Sequence, residues 1–441
     1  MSPELITIFM FASMLVLMMT GQRVFGVIGF VGSAAALMLW GNGAAEMPFN
    51  AAIQVLNWFP LITVPFFVFM GYMLSETGIA SNLYRMFHVW FGPMRGGLAI
   101  GTVGLMVLIS CMNGLSVAGM AIGATVALPE LLRRGYDKVV VTGVIQAGSS
   151  LGILIPPSVV LVLYAMIARQ PVMQLWLAGI IPGLMMAALF AIYIYIRCRI
   201  QPELAPALPE EERRALSTGE KLVLLREGLL PIAVFGLMMG LFLTGVTSLV
   251  ESSAVGALLA TLAAIFTRRL NWKILESATR NTLMVSCMFL WIIMAALCFS
   301  SVYDGLGAIK AISNLLLNTW ELDPWGIMIF MLLSFIVLGI FLDDTAMLVI
   351  VAPLYIPLVI SLGFNPIWFG ILYTITCQIA YITPPFGYNL FLMRAMAPPE
   401  ISLMDIYRSI WPFFLLMVLS MIIIMIFPEI ALWLPRVVTG R

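Results

Sequence analysis

The sequence predicts an all-α polytopic membrane protein with an inverted internal repeat and two Pro-Pro-broken helices, on three observations. The 441 residues are 62% hydrophobic and 10% charged, with a mean hydropathy of +1.07, whereas soluble domains carry roughly 25% charged residues. A Pro-Pro pair stands twice inside otherwise unbroken apolar sequence: Pro156-Pro157 in GSSLGILIPPSVVLVLY (148–164) and Pro384-Pro385 in TCQIAYITPPFGYNLFL (376–392). The pairs lie 385 − 157 = 228 residues apart, and the same ungapped offset matches Ala118 with Ala346, Pro129 with Pro357, Gly135 with Gly363, Pro171 with Pro399 and Leu175 with Leu403. Glycines and prolines dominate the matches, so the repeat reproduces backbone shape where helices end or turn.

Composition excludes several classes. A net charge of +1 leaves no basic face for nucleic acid, and the single His88 with five scattered cysteines forms neither a metal cluster nor a disulfide framework. Cys111, Cys287, Cys298 and Cys377 lie in apolar segments and read as packing residues. The N-terminal MSPELITIFMFASMLVLMM has Glu4 in place of a positive leader and no small-residue cleavage site before Gly21, so it reads as a retained first span.

Crossing the hydrocarbon core takes about 20 apolar residues, and candidate spans lie at about 4–20, 24–40, 60–75, 98–130, 139–168, 174–197 and 228–246, then at about 249–267, 281–303, 325–361, 367–397 and 406–434. Ala45–Asn57, with polar residues among apolar ones, reads as interfacial, next to Trp58 at the headgroup boundary. Segments 98–130 and 325–361 are too long for one span. Each carries a polar break, Asn113-Gly114 and Asp343-Asp344, as though a helix stops at a turn and continues as a second piece or a hairpin. The polar stretch Arg197–Arg226 reads as a linker with a short surface helix, and Arg268–Lys273 as a second polar loop.

The charges orient the copies. Arg133-Arg134-Gly135-Tyr136-Asp137-Lys138 carries three basic residues and its counterpart Ser361–Pro366 carries none, so the first is cytoplasmic and the second lies on the opposite side. The prolines remove helix hydrogen bonds and free backbone groups that lipid cannot satisfy. Such breaks in corresponding positions of two halves point to a transport site near the membrane midplane. The polar turns and broken helices together offer main-chain carbonyls, hydroxyls and carboxylates, a donor set for a hard cation such as sodium. A carboxylate at that depth is functional by default. The plainer reading of Ser149 is a hydroxyl bonded back to its own helix, of Glu251 a helix N-cap acid, and of Arg169 and Arg394 snorkelling at the interface.

The motifs Ser150–Ser158 (SLGILIPPS), Leu338–Asp343 (LGIFLD) and Ile382–Phe391 (ITPPFGYNLF) resemble those of the large membrane subunit of tripartite ATP-independent periplasmic (TRAP) transporters, the DctM-like family of the ion transporter superfamily. The resemblance covers nearly the whole chain. It implies an elevator-type transporter of the bacterial inner membrane with two re-entrant helical hairpins. It further implies that sodium is the coupling ion, that a periplasmic substrate-binding protein delivers an organic acid, and that a small four-helix membrane subunit is supplied as a separate chain. The chain departs from the family pattern at Leu115, at Ala380 and at Glu251-Ser252-Ser253.

On this reading residues 1–96 and 228–324 are scaffold helices, 97–200 and 325–441 the two transport repeats, and 201–227 a cytoplasmic linker. The first sodium site is expected at Asn113, Gly114, Ser116, Ser149, Ser150, Gly152 and Pro156, and the second at Leu342, Asp343, Asp344, Ala380, Thr383 and Pro384. Substrate, a carboxylate such as a C4-dicarboxylate, is expected against Ser116, Ser150, Thr345 and Gln378, with Arg169 and Arg394 as candidate anion partners. A proton-coupled transporter using Asp343 or Asp344 is the near alternative. An intramembrane enzyme lacks a nucleophile–base pair or a second acidic cluster, and a passive scaffold has no need of twin broken helices.

Overall fold

The protein, seen in a computed structural model, is described over residues 2–440 except 80–82, 84–85, 88, 91–95, 115, 207–217, 309–310, 312–313, 315–322 and 385–386. His88, Leu115, Pro385 and the acidic run at 210–212 therefore lie outside the described residues. The rest is helical, with no strand among the described residues.

The first group of helices is α1 (Pro3–Met19), α2 (Val24–Ala35), α3 (Met47–Leu56) and α4 (Thr63–Glu76). The first repeat follows as α5 (Gly97–Asn113), α6 (Ser116–Ile122), α7 (Leu128–Arg133), α8 (Lys138–Ser150), α9 (Val159–Ile167) and α10 (Val172–Ile200). Next come α11 (Thr218–Leu243), α12 (Leu249–Phe266) and α13 (Trp272–Gly305). The second repeat is α14 (Pro324–Gly339), α15 (Asp344–Ser361), α16 (Pro366–Tyr381), α17 (Tyr388–Met396) and α18 (Leu403–Ile426), closed by α19 (Glu429–Thr439). Among the described residues five helices are long and apolar enough to cross a membrane, and six if the bent pair Asp344–Ala352 and Leu354–Ser361 counts as one.

The repeat is written in the caps. Helix α8 starts at Asp137, whose carboxylate accepts from the Val139 and Val140 amides, and α16 starts at Asn365, whose carbonyl accepts from Ile367 and Trp368; 365 − 137 = 228. Each cap satisfies amides that a helix start leaves unpaired. Gly135 and Gly363, which precede them by two, both hold left-handed backbone, at φ 74° and 80°. Both broken helices stop well ahead of their prolines. Helix α8 ends at Ser150 and tightens into a 3₁₀ turn over Leu151–Ile153, and α16 ends at Tyr381.

Boundaries differ from expectation at several points, among them the loop expected at Arg268–Lys273, where α13 already starts at Trp272 behind an Asn271 cap. The polar linker expected through residue 227 gives way to helix at Thr218, because Leu222, Val223, Leu224 and Leu225 extend the apolar run of α11 backwards along the sequence. The span expected at 406–434 is two helices. Pro428 lacks an amide hydrogen and drives Phe427 out of helical geometry (φ −120°, ψ 77°), so the chain turns there.

Packing separates two groups. Helix α13 lies against α2, α3 and α4, while α12 lies against α4 and α11. In the repeats α5 packs on α8 and its counterpart α14 on α16. Across copies the contacts are reciprocal: α8 meets α18 while α16 meets α10, and α9 meets α15 while α17 meets α6. Reciprocity of this kind is what a two-fold relation produces. Contacts of α13 with α15 and of α4 with α5 join the groups.

Helix α18 measures the direction of the copies. Lys138, which opens α8, pairs at 2.7 Å with Asp405 near the start of α18. Trp368, at the start of α16, donates from Nε1 to the Ile424 carbonyl near its end at 2.9 Å. The two anchors are 424 − 405 = 19 residues apart on one helix, about 28 Å at 1.5 Å per residue. The broken helices thus start from opposite ends of α18, a separation close to the thickness of a hydrocarbon core.

Candidate functional site

The turn between α5 and α6 meets the first Pro-Pro break directly. Gly114 holds φ +66°, open to glycine at little cost. A β-carbon there would stand 2.6 Å from the Pro157 carbonyl oxygen. The Gly114 carbonyl accepts from the Val159 amide at 3.5 Å, so the tip of one element is tied to the helix that resumes after the break. Ser116 opens α6 and is buried, as are Gly152 and Pro156. Asn113 closes α5, and its side chain lies outside the described part of the structure.

Asn389, on α17 of the second copy, reaches into this half-site. Its Oδ1 accepts from Ser116 Oγ at 3.3 Å, and its Nδ2 donates to Ser149 Oγ and to the Gln146 carbonyl, each at 3.3 Å. The Ser149 hydroxyl donates to the Gln146 carbonyl at 3.0 Å and the Ser150 hydroxyl to the Ala147 carbonyl at 2.8 Å. The back-bonded reading thus describes both serines, while Ser149 keeps a lone pair for Asn389. The Ser158 hydroxyl closes the break by donating to the Ile153 carbonyl and accepting from the Leu161 amide.

In the second half-site Asp343 caps α15, its Oδ2 accepting from the Ala346 amide at 3.4 Å. Its Oδ1 is buried with no hydrogen-bond partner. The Asp344 carboxylate accepts from the Thr345 amide at 2.9 Å and hydroxyl at 3.4 Å, with the Tyr381 hydroxyl beside it. The Asp344 carbonyl accepts from Tyr373 at 2.5 Å. Leu342 is buried, its amide bonded to the Leu338 carbonyl at 2.8 Å. Gly339 packs so closely that a β-carbon would lie 2.6 Å from Cβ of Ala380. The Thr383 hydroxyl is bonded back to Ile379 at 2.6 Å, and the loop through Pro384 closes with the Gly387 amide on the Thr383 carbonyl at 3.0 Å.

Gln378 joins the halves. Its Nε2 donates to the carbonyl of Ser150, its own repeat counterpart (378 − 150 = 228), at 3.0 Å. A residue touches its counterpart where the relating axis passes between them, so the axis runs through this bond. The Gln378 Oε1 and Gln146 Oε1 atoms are also buried without partners. Buried polar atoms are rarely left unpaired, and the cost of each is about 1–3 kcal/mol unless a ligand or water satisfies it.

Of the expected residues, the structure brings Gly114, Ser116, Ser149 and Ser150 together with Gln378, and Asp343, Asp344 and Thr345 with Ala380 and Tyr381. It places Arg169 and Arg394 elsewhere. Both are exposed, Arg169 at the left-handed end of α9 (φ 53°) and Arg394 donating to the Ile401 carbonyl at 2.9 Å. Glu251 is an exposed N-terminal acid forming a capping box with Ser248. Sequence reasoning assigned no role to Asn389, Gln146 or Tyr373. Asn389, an amide in apolar sequence five residues past Pro384, was open to the rule that picked out Gln378.

The chain's likeness to known proteins agrees with this architecture. The YdaH transporter of Alcanivorax borkumensis, known from its crystal structure, matches 98% of both chains with a TM-score of 0.61 at 15% identity, a likeness of fold. The C4-dicarboxylate TRAP transporter large permease protein DctM of Pseudomonas aeruginosa is 28% identical over 380 residues, 86% of each chain. The ectoine TRAP transporter large permease protein TeaC of Halomonas elongata is 27% identical over 409 residues, 92% of each. The family model of the tripartite ATP-independent periplasmic transporter DctM component matches residues 11–430. With multiple apolar helices and twin broken helices at its centre, the chain belongs to the DctM family, the large permease component of tripartite ATP-independent periplasmic transporters.

Proposed function

We propose that this permease imports an organic acid across the bacterial inner membrane by sodium symport. The observation that carries the reading is the convergence of two polar turns and two Pro-Pro breaks on a buried core that holds an unpartnered carboxylate oxygen of Asp343. Oxygen donors in that setting suit sodium, and the helices resuming at Val159 and Tyr388 direct positive dipole ends inward, where a substrate carboxylate is favoured.

In this mechanism sodium bound at the Gly114 and Asp343 turns closes them against the breaks and completes the substrate site beside Ser116, Ser150, Thr345 and Gln378. Ion and substrate stabilise one conformation, so each raises the other's affinity by the same factor. The repeats, 97–200 and 325–441, are inverted across the membrane and move as an elevator against scaffold helices from 1–96 and 228–324. A periplasmic binding protein delivers the acid, and a small four-helix membrane subunit completes the permease. A C4-dicarboxylate is the first substrate to try.

The test is uptake into proteoliposomes holding the permease and small subunit, with binding protein and labelled dicarboxylate outside. Flux under an inward sodium gradient but not under choline supports symport, and Asp344→Ala should abolish it. The unpartnered Asp343 oxygen also favours a second reading, a protonated carboxyl that relays protons. Equal flux in choline under an inward proton gradient would replace sodium by that relay.

A further inference from the structure

Away from the central site, an open apolar groove of about 580 Å³ runs along α10, lined by Leu189, Ile192, Ile196 and Ile200 with Leu416 of α18 opposite, and it ends at Arg197 and Gln201. Arg197 and Arg408 line a narrow crevice continuous with that end, sharing Tyr193 and Arg197 with the groove.

The charges there are unbalanced. Two neighbouring cations on this side are matched, Lys138 by Asp405 at 2.7 Å and Arg134 by Glu130 at 2.7 Å, while Arg199 donates to the Tyr195 hydroxyl at 3.1 Å. Arg197 donates from Nη1 to the neutral Tyr193 hydroxyl at 2.6 Å, and its Nε is buried with no acceptor. Neither Arg197 nor Arg408 has an acidic partner among the described residues. Two guanidiniums without an acidic partner therefore line the crevice that joins the apolar groove at Arg197, a setting that favours an anion with several acceptor oxygens.

The dimensions specify the rest of the ligand. From Leu189 to Ile200 the groove follows eleven helical rises, about 17 Å, close to one leaflet of a hydrocarbon core about 30 Å thick. Its basic end belongs to the side of Arg133, Arg134 and Lys138, since the Asp137 amide bonds the Leu204 carbonyl just past α10 at 2.9 Å. We propose that the α10–α18 groove is a binding site for an anionic phospholipid of the cytoplasmic leaflet, its phosphate held by Arg197 and Arg408 and one acyl chain lying along Leu189–Ile200. Basic pockets between membrane helices on this side recognise anionic headgroups.

The experiment is native mass spectrometry of the purified, delipidated permease titrated with dioleoyl-phosphatidylglycerol or dioleoyl-phosphatidylcholine. Two cationic contacts predict a preference of about thirtyfold for phosphatidylglycerol, lost in Arg197→Gln/Arg408→Gln and kept in the control Arg280→Gln, whose partner is Glu276. Leu416→Trp fills the groove and leaves both arginines in place. It should abolish retention even if the double variant misfolds. Soluble glycerol phosphate should not compete. Equal retention of the two lipids, retention unchanged in Leu416→Trp, or full competition by glycerol phosphate would overturn the proposal.

Discussion

Gly114→Ala tests whether the first polar turn and the first Pro-Pro break work as a unit. Two costs are superimposed there. A left-handed residue with a β-carbon is strained by about 1–2 kcal/mol, and the new carbon would stand 2.6 Å from the Pro157 carbonyl oxygen, forcing backbone apart. Overpacking of that kind costs about 1–3 kcal/mol. Gly363→Ala separates the two, because Gly363 has φ +80° and a β-carbon there would meet nothing within 4 Å. It pays the conformational part alone. Both variants should lose thermal stability, with Gly114→Ala the lower. If turn and break together hold sodium, only Gly114→Ala should also weaken sodium binding, by about 5- to 150-fold for 1–3 kcal/mol. Sodium titration of tryptophan fluorescence in the purified protein reads this directly. Equal sodium affinity in the two variants, with only stability changed, would refute the unit and leave Gly114 a purely structural glycine.

Three further outcomes are expected. Asp343→Asn keeps the Oδ cap to Ala346 but replaces an unpartnered carboxylate oxygen by a neutral group, so sodium-driven flux should vanish in proteoliposomes while the thermal midpoint stays within a few degrees. Asn389→Ala removes three bonds to Ser116, Ser149 and Gln146 at a fully buried position; at about 1 kcal/mol per bond plus the cost of stranded groups, it should destabilise by about 2–4 kcal/mol and raise the sodium concentration needed for half-maximal uptake. Ser248→Ala deletes the capping box with Glu251, costing about 1 kcal/mol of helix stability with uptake unchanged, since that cap is exposed and far in sequence from either break. Loss of uptake there would return Glu251 to the transport path.

The backbone plan was legible because it is written in residues whose meaning is local. Proline lacks a donor wherever it stands, and glycine alone adopts left-handed backbone freely, so Pro156, Pro384, Gly135 and Gly363 announced breaks and turns without knowledge of any neighbour. The offset of 228 carried through to helix starts at Lys138 and Pro366 and at Ser116 and Asp344. Boundaries were less legible where an apolar run shades into a polar one, as at Thr218, because long-stemmed cations fit either helix end or loop.

Side-chain roles were harder to read, because each depends on a partner far along the chain. Ser149, Ser150 and Thr383 are expected among the ion ligands, with back-bonding the plainer reading for Ser149, and helix geometry brings all three hydroxyls within reach of the carbonyl three or four residues back. Arg169 and Arg394 are candidate anion partners beside the plainer reading of snorkelling, and both are exposed at helix ends. Asn389 gains its role from Ser116, 273 residues away.

By itself, then, the sequence determined the membrane-spanning helical class, the repeat, the positions of the breaks and the side on which the cations gather, because hydropathy, proline and glycine act over a few residues. Only the tertiary structure decided which buried oxygens are spoken for and which stay open, that Gln378 meets its own counterpart at the axis, and that α18 holds the two copies' starting points about 28 Å apart. Those facts depend on which helices meet across the two-fold relation, and no local pattern encodes the pairing of surfaces hundreds of residues apart.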